Sequence, residues 1–381
     1  MDNHYDIAII GMGCAGSHVV LQLLENAPHL RVAILDPYGS LTQEKTWSFW
    51  EKGPGKYDDL IIASWKNCRF HTGDEELSLT MNPYLYKSIE NVKFSAFAKA
   101  QLQQNSNYTY LESKVLNIDQ EANLNYQDDK IYVNHAKGTI SSDLVLDSRP
   151  LEVIPSTGIT LLQHFKGWFI ETPEDYFDPK EFTKMDYQLV DPGTTSFVYI
   201  LPFSKRKALV EYTYFAKNLV QDDVYDQYLE TYITDFLKIS DYKISKVEKG
   251  IIPMTSHDFK PFKNKNVVTI GTAGGWVKAS TGYSFKNSER LARQLVNNYL
   301  ENRPLSYKMT NKKYEVFDET LLRVLHENEA SGPEIFSKMY QRNSVQNIMA
   351  FLDEESSLLA ELGIMKSLTS WPFIKNFFKS L

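Results

Sequence analysis

Three glycines near the start of the chain have the spacing of a dinucleotide-binding turn. The segment Gly11-Met-Gly13-Cys-Ala15-Gly16 follows an apolar stretch that predicts a buried strand, and it precedes a helical pattern. Glycines in this context allow a tight turn and bring backbone N–H groups close to a pyrophosphate at the positive end of a helix. Asp36 follows 20 residues after Gly16, where its carboxylate can accept both ribose hydroxyl protons. We predict a dinucleotide site at Gly11, Gly13, Ala15, Gly16 and Asp36, but this pattern alone does not separate NAD from FAD.

Two later segments also join a buried strand to a polar or glycine-rich turn. Residues 142–147 predict a strand that ends at Asp147, and residues 267–270 predict another that runs into Gly271 and Gly274. Both patterns resemble those of FAD proteins of the glutathione-reductase type, in which the second loop approaches the flavin. The resemblance favours FAD and implies that Asp147, Gly271 and Gly274 contact it.

Glu211 is a candidate general acid because its neighbours in residues 208–215 are mostly apolar. A carboxylic acid in an apolar pocket stays neutral at working pH, since burial disfavours its ionised form. Strand alternation alone instead favours a glutamate that faces outward from a half-exposed strand. Both interpretations remain open from the residues alone.

Hydrophobic periodicity divides the chain into an α/β part and a helical part. Residues 5–10, 15–26 and 31–35 predict a strand, a helix and a strand, which is the start of a βαβ unit. Further strands are predicted at residues 107–115, 130–134, 144–146, 160–172, 187–190, 196–201, 208–213 and 266–270. A helix is predicted to start after Tyr283, and the last 75 residues are almost entirely helical in pattern.

This order predicts an α/β fold class: an FAD-binding Rossmann-type domain, similar to that of glutathione reductase, interleaved with a mixed-sheet substrate domain and followed by a helical C-terminal region. We assign the FAD-binding domain to residues 1–150 and 250–300 and the substrate domain to 151–249. The helical region takes residues 301–381.

Composition excludes several classes of protein. With 43% apolar residues among 381, the chain can bury a large core and is not disordered. A net charge of −7 argues against a nucleic-acid partner. Two cysteines exclude a disulfide framework and fit a reducing compartment, so we expect a cytoplasmic protein. The eight histidines lack metal-binding spacing, and we expect no metal site.

Six segments together resemble the bacterial flavin-dependent lycopene β-cyclases. They are similar to the HTWSF, QxFxGW, MDF, LIEDT (or FLEET), GxIPM and PTTGYS elements of that family. In this chain the segments read KTWSFW at residues 45–50, QHFKGW at 163–168, MDY at 185–187, LVEYT at 209–213, GIIPM at 250–254 and ASTGYS at 279–284. Two positions depart from the expected patterns: Thr272 stands where flavoproteins usually carry Asp, and Tyr212 stands where a second carboxylate follows Glu211 in the family.

The resemblance implies a fold, a reaction and a set of site residues. The reaction is the closure of the acyclic ends of lycopene, or of another acyclic carotenoid, into β-ionone rings, without net oxidation or reduction. Glu211 is then the acid that protonates an alkene, and Thr281, Gly282 and Tyr283 lie at the flavin end. The resemblance further implies that FAD acts in its reduced form, with NADPH as the reductant.

A carbocation must be kept dry, and aromatic faces stabilise it. The aromatic residues within or near the family-like segments are therefore candidates to contact substrate, although each could equally fill the core. They are Trp47, Phe49, Trp50, Trp168, Tyr199, Tyr212 and Tyr214.

The C-terminal segment predicts a short helix with an aromatic face and lysines on another. Residues 361–381 carry Lys366, Lys375 and Lys379 against Glu361. Such helices lie on membrane surfaces, so we expect a peripheral protein on the inner face of the cytoplasmic membrane. Packing of this helix on the protein's own core is equally compatible with the sequence, and the sequence leaves the number of subunits open.

Two other functions remain open on the same fold. A flavin monooxygenase or prenyl-chain reductase would consume one NADPH per product. A prenyl- or pigment-binding protein without enzymatic activity would have no need of bound flavin.

Overall fold

A computed structural model describes residues 3–37, 45–119, 130–150, 152–153, 157–262 and 265–381 of the chain. The strands are β1 (His4–Ile10), β2 (Val32–Leu35), β3 (Thr46–Lys52), β4 (Ile61–Trp65), β5 (Asn67–His71), β6 (Glu76–Thr80), β7 (Tyr84–Glu90), β8 (Tyr108–Leu111), β9 (Val115–Asp119), β10 (Ile131–His135), β11 (Gly138–Asp147), β12 (Thr160–Glu171), β13 (Glu181–Asp186), β14 (Thr195–Ser204), β15 (Lys207–Ala216), β16 (Lys243–Thr255) and β17 (Val267–Thr269). The helices are α1 (Cys14–Asn26), α2 (Asn91–Leu102), α3 (Asp222–Thr231), α4 (Phe285–Leu300), α5 (Lys312–Glu327), α6 (Gly332–Arg342), α7 (Val345–Leu352), α8 (Leu358–Ser367) and α9 (Trp371–Ser380).

The first sheet contains the predicted βαβ start. Its strands follow the order β8-β2-β1-β11-β10-β9, and β17 pairs with β11. The neighbours β8, β2, β1 and β11 run parallel, as does β17 beside β11. Parallel strands of this kind are buried on both faces and so are almost continuously apolar, as β2 and the last four residues of β1 are. Helix α1 packs against α2 and α4 and covers one face of this sheet.

Of three strand predictions in this region, the one at residues 130–134 is confirmed and two need adjustment. The strand predicted at residues 107–115 ends at Leu111, and a separate strand starts at Val115. The strand predicted at 130–134 is β10, which pairs antiparallel with β9 and β11. The strand predicted at 144–146 is the end of the longer β11.

The second sheet carries the long central strands in the order β16-β12-β15-β14-β13-β5-β6. The predicted strands at 160–172, 196–201 and 208–213 correspond to β12, β14 and β15. The strand predicted at 187–190 is wrong, because β13 ends at Asp186. The carboxylate of Asp186 accepts the backbone N–H of Gln188 at 2.9 Å and its side-chain amide at 3.0 Å, which forms a turn instead of a continued ladder.

Strands β3 to β7 were not predicted as strands. β3, β7 and β4 form a three-stranded antiparallel sheet. β5 pairs parallel with β13 and antiparallel with β6, so residues 67–80 extend the second sheet. The domain boundaries predicted from the sequence instead assign residues 67–80 to the FAD-binding domain.

The helical C-terminal region covers one face of the second sheet. Side chains from α5, α6 and α7 share a hydrophobic core with that face, while α3 packs on the opposite face. These sheets and helices confirm the predicted α/β fold class with a helical end. In the part of the chain that the structure describes, no helix combines the length and apolarity needed to cross a bilayer.

Candidate functional site

The glycine turn between β1 and α1 forms an open backbone surface. Gly11 has φ +85°, and a Cβ on Gly16 would lie 2.0 Å from the carbonyl oxygen of Gly11. Around Gly13 there is open space, and α1 begins with no side-chain cap. The Asp36 carboxylate accepts the N–H of Met12 at 2.8 Å and so ties the end of β2 to the turn. The turn therefore presents free backbone donors at a helix N-terminus.

The other predicted cofactor loops reach the same edge of the first sheet. β11 ends at Asp147, which forms an ion pair with Arg149 at 2.7 Å. β17 leads into a 3-10 turn at Gly271–Gly274, and a Cβ on Gly271 would lie 3.3 Å from the Cβ of Ala15 on α1. The structure thus brings the three predicted loops together at the carboxyl ends of parallel strands.

A largely apolar cavity of about 400 Å³ lies between the second sheet and the C-terminal helices. Its sheet wall consists of alternate side chains of β12, β14, β15 and β16, all on one face. Helices α5 to α9 supply the opposite wall, and β3 with the loop before α4 closes one side. Cavities of this size and lining are typical of small-molecule sites.

Glu211 lies in the sheet wall of this cavity and is buried. Its Oε1 accepts the hydroxyl of Thr213 at 2.7 Å. Burial raises the pKa of Glu211 to about 8, the Thr213 hydrogen bond opposes this change, and the negative charge of Glu248 adds to it. The predicted acid therefore holds its proton at neutral pH while facing apolar space.

Glu248 is a second carboxylate in the same wall, and sequence analysis missed it. Gly167 on β12 is directly opposite Glu211 on β15 and also directly opposite Glu248 on β16. Directly opposed residues project to the same face of a sheet, so both carboxylates flank Gly167. The Oε1 of Glu248 accepts the backbone N–H of Thr46 at 3.3 Å.

A buried cluster of tyrosines and one lysine lies beside Glu211. Tyr199, which is opposite Glu211 on β14, shares a hydrogen bond of 2.9 Å with Tyr86, and Tyr86 shares one of 3.0 Å with Tyr283. The amine of Lys184 donates to the Tyr283 hydroxyl and lies 4.5 Å from the centre of that ring. Burial lowers the pKa of Lys184 to about 8. Lys184 and Tyr86 were also missed by sequence analysis.

The predicted flavin-end residues border the same cavity. Thr281, Gly282 and Tyr283 all line it. Gly282 has φ +71°, and a Cβ there would lie 2.2 Å from Oε1 of Gln163, the first residue of the QHFKGW segment. That buried Oε1 has no hydrogen-bond partner among the described residues. An unsatisfied buried acceptor at this point is costly unless a ligand supplies a donor.

The aromatic residues of β3 divide between the cavity and the core. Trp47 lines the cavity. Phe49 stacks on Phe285 at 4.5 Å within the core, and Trp50 donates its indole N–H to Asp353 at 2.9 Å. Phe49 and Trp50 border a second, more polar cavity of about 330 Å³ and do not line the first.

Three of the predicted substrate contacts need correction. Trp168, Tyr212 and Tyr214 lie on the face of the second sheet that packs on α3, away from Glu211. The Tyr212 hydroxyl donates to the carbonyl oxygen of Leu189 at 3.2 Å. The physical reason is the two-residue period of a strand, which sends Glu211 and Tyr212 to opposite faces. Of the predicted aromatic residues, the structure brings Trp47 and Tyr199 to the cavity with Glu211.

The missed residues had weak signals in the sequence. Glu248 precedes the GIIPM segment and shares the alternation of Gly250 and Ile252, which marks one face of the strand. Lys184 directly precedes Met185, but it lies at an irregularity in the pairing of β13 that shifts the alternation. Nothing in the sequence around Tyr86 distinguishes it from a core tyrosine.

Comparison with known proteins places the chain in a family. Residues 6–376 match the sequence model of the family described as lycopene cyclase protein. The chain belongs to the lycopene cyclase family. It is 26% identical over 297 residues to a lycopene β-cyclase of a Paracoccus species, covering 76% of this chain and 72% of the relative. It is 22% identical over 314 residues to the lycopene β-cyclase of Pantoea ananas, covering 77% and 75%.

Solved structures share the fold over almost the whole chain. A geranylgeranyl bacteriochlorophyll reductase-like protein from Thermoplasma acidophilum has a TM-score of 0.69 at 14% identity, covering 99% of both chains. A mutant of the halogenase PltM in complex with FAD has a TM-score of 0.60 at 12% identity, covering 98% of this chain and 90% of the other. At these identities the likeness concerns the fold, which is one that flavin enzymes use.

Proposed function

We propose that this protein is a lycopene β-cyclase, an isomerase that closes the acyclic ends of lycopene into β-ionone rings by acid-initiated cyclisation. One observation carries the proposal: a buried glutamic acid, Glu211, faces an apolar cavity in a chain of the lycopene cyclase family. Protonation of an alkene needs a proton donor that is still protonated at working pH. The pKa of Glu211, raised by burial to about 8, meets that requirement.

The cavity wall supports the cationic steps that follow. The proton moves from Glu211 to a terminal alkene carbon, the tertiary cation is attacked by a neighbouring double bond, and a ring carbon then loses a proton. The faces of Trp47, Tyr86 and Tyr199 border the cavity and can stabilise the positive charge. The apolar lining keeps out water, which would otherwise trap the cation as an alcohol.

The residues present fit FAD. The open glycine turn at Gly13 and the carboxylate of Asp36 suit a pyrophosphate and a ribose, and the acceptor on Gln163 suits a flavin N–H. Reduced FAD, when bound, supplies negative charge that stabilises a nearby cation. NADPH is proposed as the reductant that keeps FAD reduced.

The activity is tested by expressing the chain in bacteria that accumulate lycopene. Ring closure twists the double bond of each ring out of the plane of the polyene and so weakens its conjugation. The cells should therefore change from red to orange or yellow and contain cyclic carotenoids. Glu211→Gln should abolish the colour change and retain bound FAD, because the amide keeps the shape but cannot protonate carbon. Glu171→Gln is a matched control, since Glu171 is an exposed glutamate on β12. Unchanged cyclisation in Glu211→Gln would exclude Glu211 as the acid.

The stoichiometry of NADPH separates this proposal from its alternatives. A monooxygenase or a prenyl-chain reductase consumes one NADPH per product, whereas cyclisation should proceed without matching loss of NADPH. A pigment-binding protein should bind lycopene and return it unchanged. The absorbance spectrum of the purified protein reports whether flavin is bound.

We also propose that the protein docks peripherally on a membrane through α8 and α9. Apolar side chains on these helices are exposed, and the same two helices also line the cavity, partly through the exposed Met365, Ile374 and Phe378. The exposed set is Leu358, Leu359, Leu362, Met365, Trp371, Ile374 and Phe378. Lys375 and Lys379 contribute less positive charge to this docking surface than the sequence suggests, because each lies 3.2 Å from Glu327. A substrate dissolved in the bilayer would then enter between the two helices.

Flotation with liposomes tests the docking surface. The double variant Leu359→Asp, Leu362→Asp should float at least about tenfold less than the wild type, because two leucines that bury apolar area in lipid are lost. Leu116→Asp is a matched control, since Leu116 is 63% exposed but lies on β9 of the first sheet. Equal flotation of all three proteins would exclude this surface as the docking site.

A further inference from the structure

Glu211 and Glu248 lie on either side of Gly167, a residue without a side chain. Both are opposite Gly167, so two strand spacings separate their Cα atoms, a distance of roughly 10 Å. A Cβ on Gly167 would lie 2.7 Å from Cδ1 of Leu209 and 3.3 Å from the Cβ of Glu211. Gly167 thus adds no side chain of its own between the carboxylates, and the side chain of Leu209 packs over it. Both carboxylates line the same cavity, so an acid and a base on these two strands can reach one substrate from different sides.

The two carboxylates differ in their surroundings. Like charges close together oppose double ionisation, so a proton on one favours the ionised form of the other. Glu211 holds the proton because burial raises its pKa, and the negative charge of Glu248 raises it further. Glu248 accepts a backbone N–H from Thr46, and such a hydrogen bond stabilises a carboxylate. The pair therefore offers one acid and one base to the same space.

We propose that Glu248 is the base that removes the proton in the last step of ring closure, an inference that rests on the proposed cyclase function. The Glu211 O–H bond breaks as a C–H bond forms at the terminal alkene carbon. Ring closure moves the positive charge to a ring carbon. The carboxylate of Glu248 then takes a proton from the neighbouring ring carbon, and that C–H bond becomes the new C=C bond. A proton passes from Glu248 back to Glu211 before the next turnover, so neither protons nor electrons are gained.

Other charged groups in the cavity wall are engaged elsewhere. Asp318 lies 3.0 Å from the amine of Lys278 and accepts the hydroxyl of Ser280 at 2.7 Å. The amine of Lys184 is held by the Tyr283 hydroxyl and by the ring face of Trp50, 5.4 Å from its centre. Among the charged side chains of the described residues that line the cavity, Glu248 is the one that, like Glu211, lies directly opposite Gly167 on a neighbouring strand.

The test follows deuterium from solvent into carotenoid. Purified holoenzyme with reduced FAD is given lycopene in D₂O, and both product and recovered lycopene are analysed by mass spectrometry and NMR. The wild type should place one deuterium in each ring. Glu248→Gln should form rings at least about 100-fold more slowly, the usual contribution of a general base. Its recovered lycopene should nevertheless carry deuterium at the chain ends, because Glu211 still protonates the alkene and the cation then reverts.

Three controls make the outcomes distinct. Glu211→Gln should give neither rings nor deuterium. Glu171→Gln should match the wild type in both, and its flavin content and melting temperature give the reference for folding. Glu248→Asp keeps a carboxylate on a shorter side chain. It should therefore retain some ring formation, and its recovered lycopene should carry more deuterium than that of the wild type. This variant tests the proposal even if Glu248→Gln does not fold.

Several results would overturn the proposal. One is ring formation by Glu248→Gln within about threefold of the wild type, since a general base contributes far more. Another is a folded Glu248→Gln that loses ring formation without deuterium in the recovered lycopene. A Glu248→Asp variant with the isotope pattern and rate of the wild type would also contradict it. A wild type that forms no rings refutes instead the cyclase function on which the proposal rests.

Discussion

At the scale of single residues, the chemistry depends on how far a carboxyl group is removed from water. Glu211 is buried in the cavity wall and accepts a hydrogen bond from the Thr213 hydroxyl. Removing a carboxylate from water favours its protonated form. The same burial that makes Glu211 an acid at neutral pH must also make folding sensitive to pH.

Glu211 should make the folded protein less stable as the pH rises from about 4.5 to about 8. Its pKa is about 8 when folded against an ordinary value of 4.5, so between these values the folded state binds the extra proton. The contribution of Glu211 to the free energy of unfolding is therefore fully present below pH 4.5 and is lost as the pH rises to about 8. The melting temperature of Glu211→Gln relative to the wild type should rise between pH 5 and pH 9. A difference that is constant with pH, as expected for Glu171→Gln, would contradict the burial argument.

Gly167 should tolerate no side chain without loss of activity. Gly167→Ala puts a methyl group 2.7 Å from Cδ1 of Leu209 and 3.3 Å from Glu211, in the space between the two carboxylates. We expect cyclisation to fall at least about tenfold, on the scale of misplacing a reacting group. Gly363→Ala is the matched control, since its new methyl group makes only an ordinary 3.5 Å contact and a helix favours alanine. Assays of carotenoid products compare the two variants.

At residue scale, the sequence was informative where a short motif or a family-like segment contains the residue. Glu211 was predicted in this way. Glu248 was not, because its role depends on its register opposite Gly167, a residue 81 positions earlier in the chain. Register of that kind is a tertiary property that a single strand does not encode.

At the scale of elements, strand alternation decides which side chains share the cavity. β14 and β15 are buried on both faces, so their sequences show little polar and apolar alternation. Residue types there do not tell one face from the other. The odd or even position of a residue along the strand does distinguish the two faces. Glu211, Thr213 and Phe215 line the cavity, and Tyr212 does not. The prediction that Tyr212 contacts substrate ignored this period, and the structure places Tyr212 on the face away from the cavity.

Two tyrosine variants test the assignment of faces. Tyr199→Phe should slow cyclisation, because Tyr199 lines the cavity and bonds to Tyr86 at 2.9 Å. Tyr212→Phe should leave the rate within about twofold and cost about 1 kcal/mol of stability through its lost hydrogen bonds. Rates and urea unfolding curves measure both effects. The reverse ranking of rates would show that the two faces are misassigned.

At the scale of the whole molecule, the first sheet is assembled from distant parts of the chain. β17 pairs with β11, and α4 packs on α1, although both follow the second sheet in sequence. The sequence predicted that the chain comes back to the first sheet after the second, because residues 266–270 have the pattern of a buried strand before a glycine turn. It did not predict the strands of residues 46–90, whose polar and aromatic residues lack a clear period. The domain boundaries given above stay a prediction.

A fragment of residues 1–150 should not retain FAD. It lacks β17, the turn at Gly271–Gly274 and the helix α4 that covers α1. Joining residues 265–303 to this fragment through a flexible linker should restore at least part of the binding. Flavin absorbance after gel filtration compares both fragments with the full chain. Retention of FAD by the short fragment at full-length affinity would show that the two parts are independent.

The position of β16 at the end of the second sheet has a consequence for heat inactivation. An outer strand holds its ladder through a single neighbour, here β12, and frays at a lower free energy than the interior strand β15. Amide hydrogens of β16 should therefore exchange with solvent faster than those of β15. Warming would then separate Glu248 from Glu211 while the rest of the molecule stays folded, so that enzymatic turnover fails some degrees before the calorimetric transition.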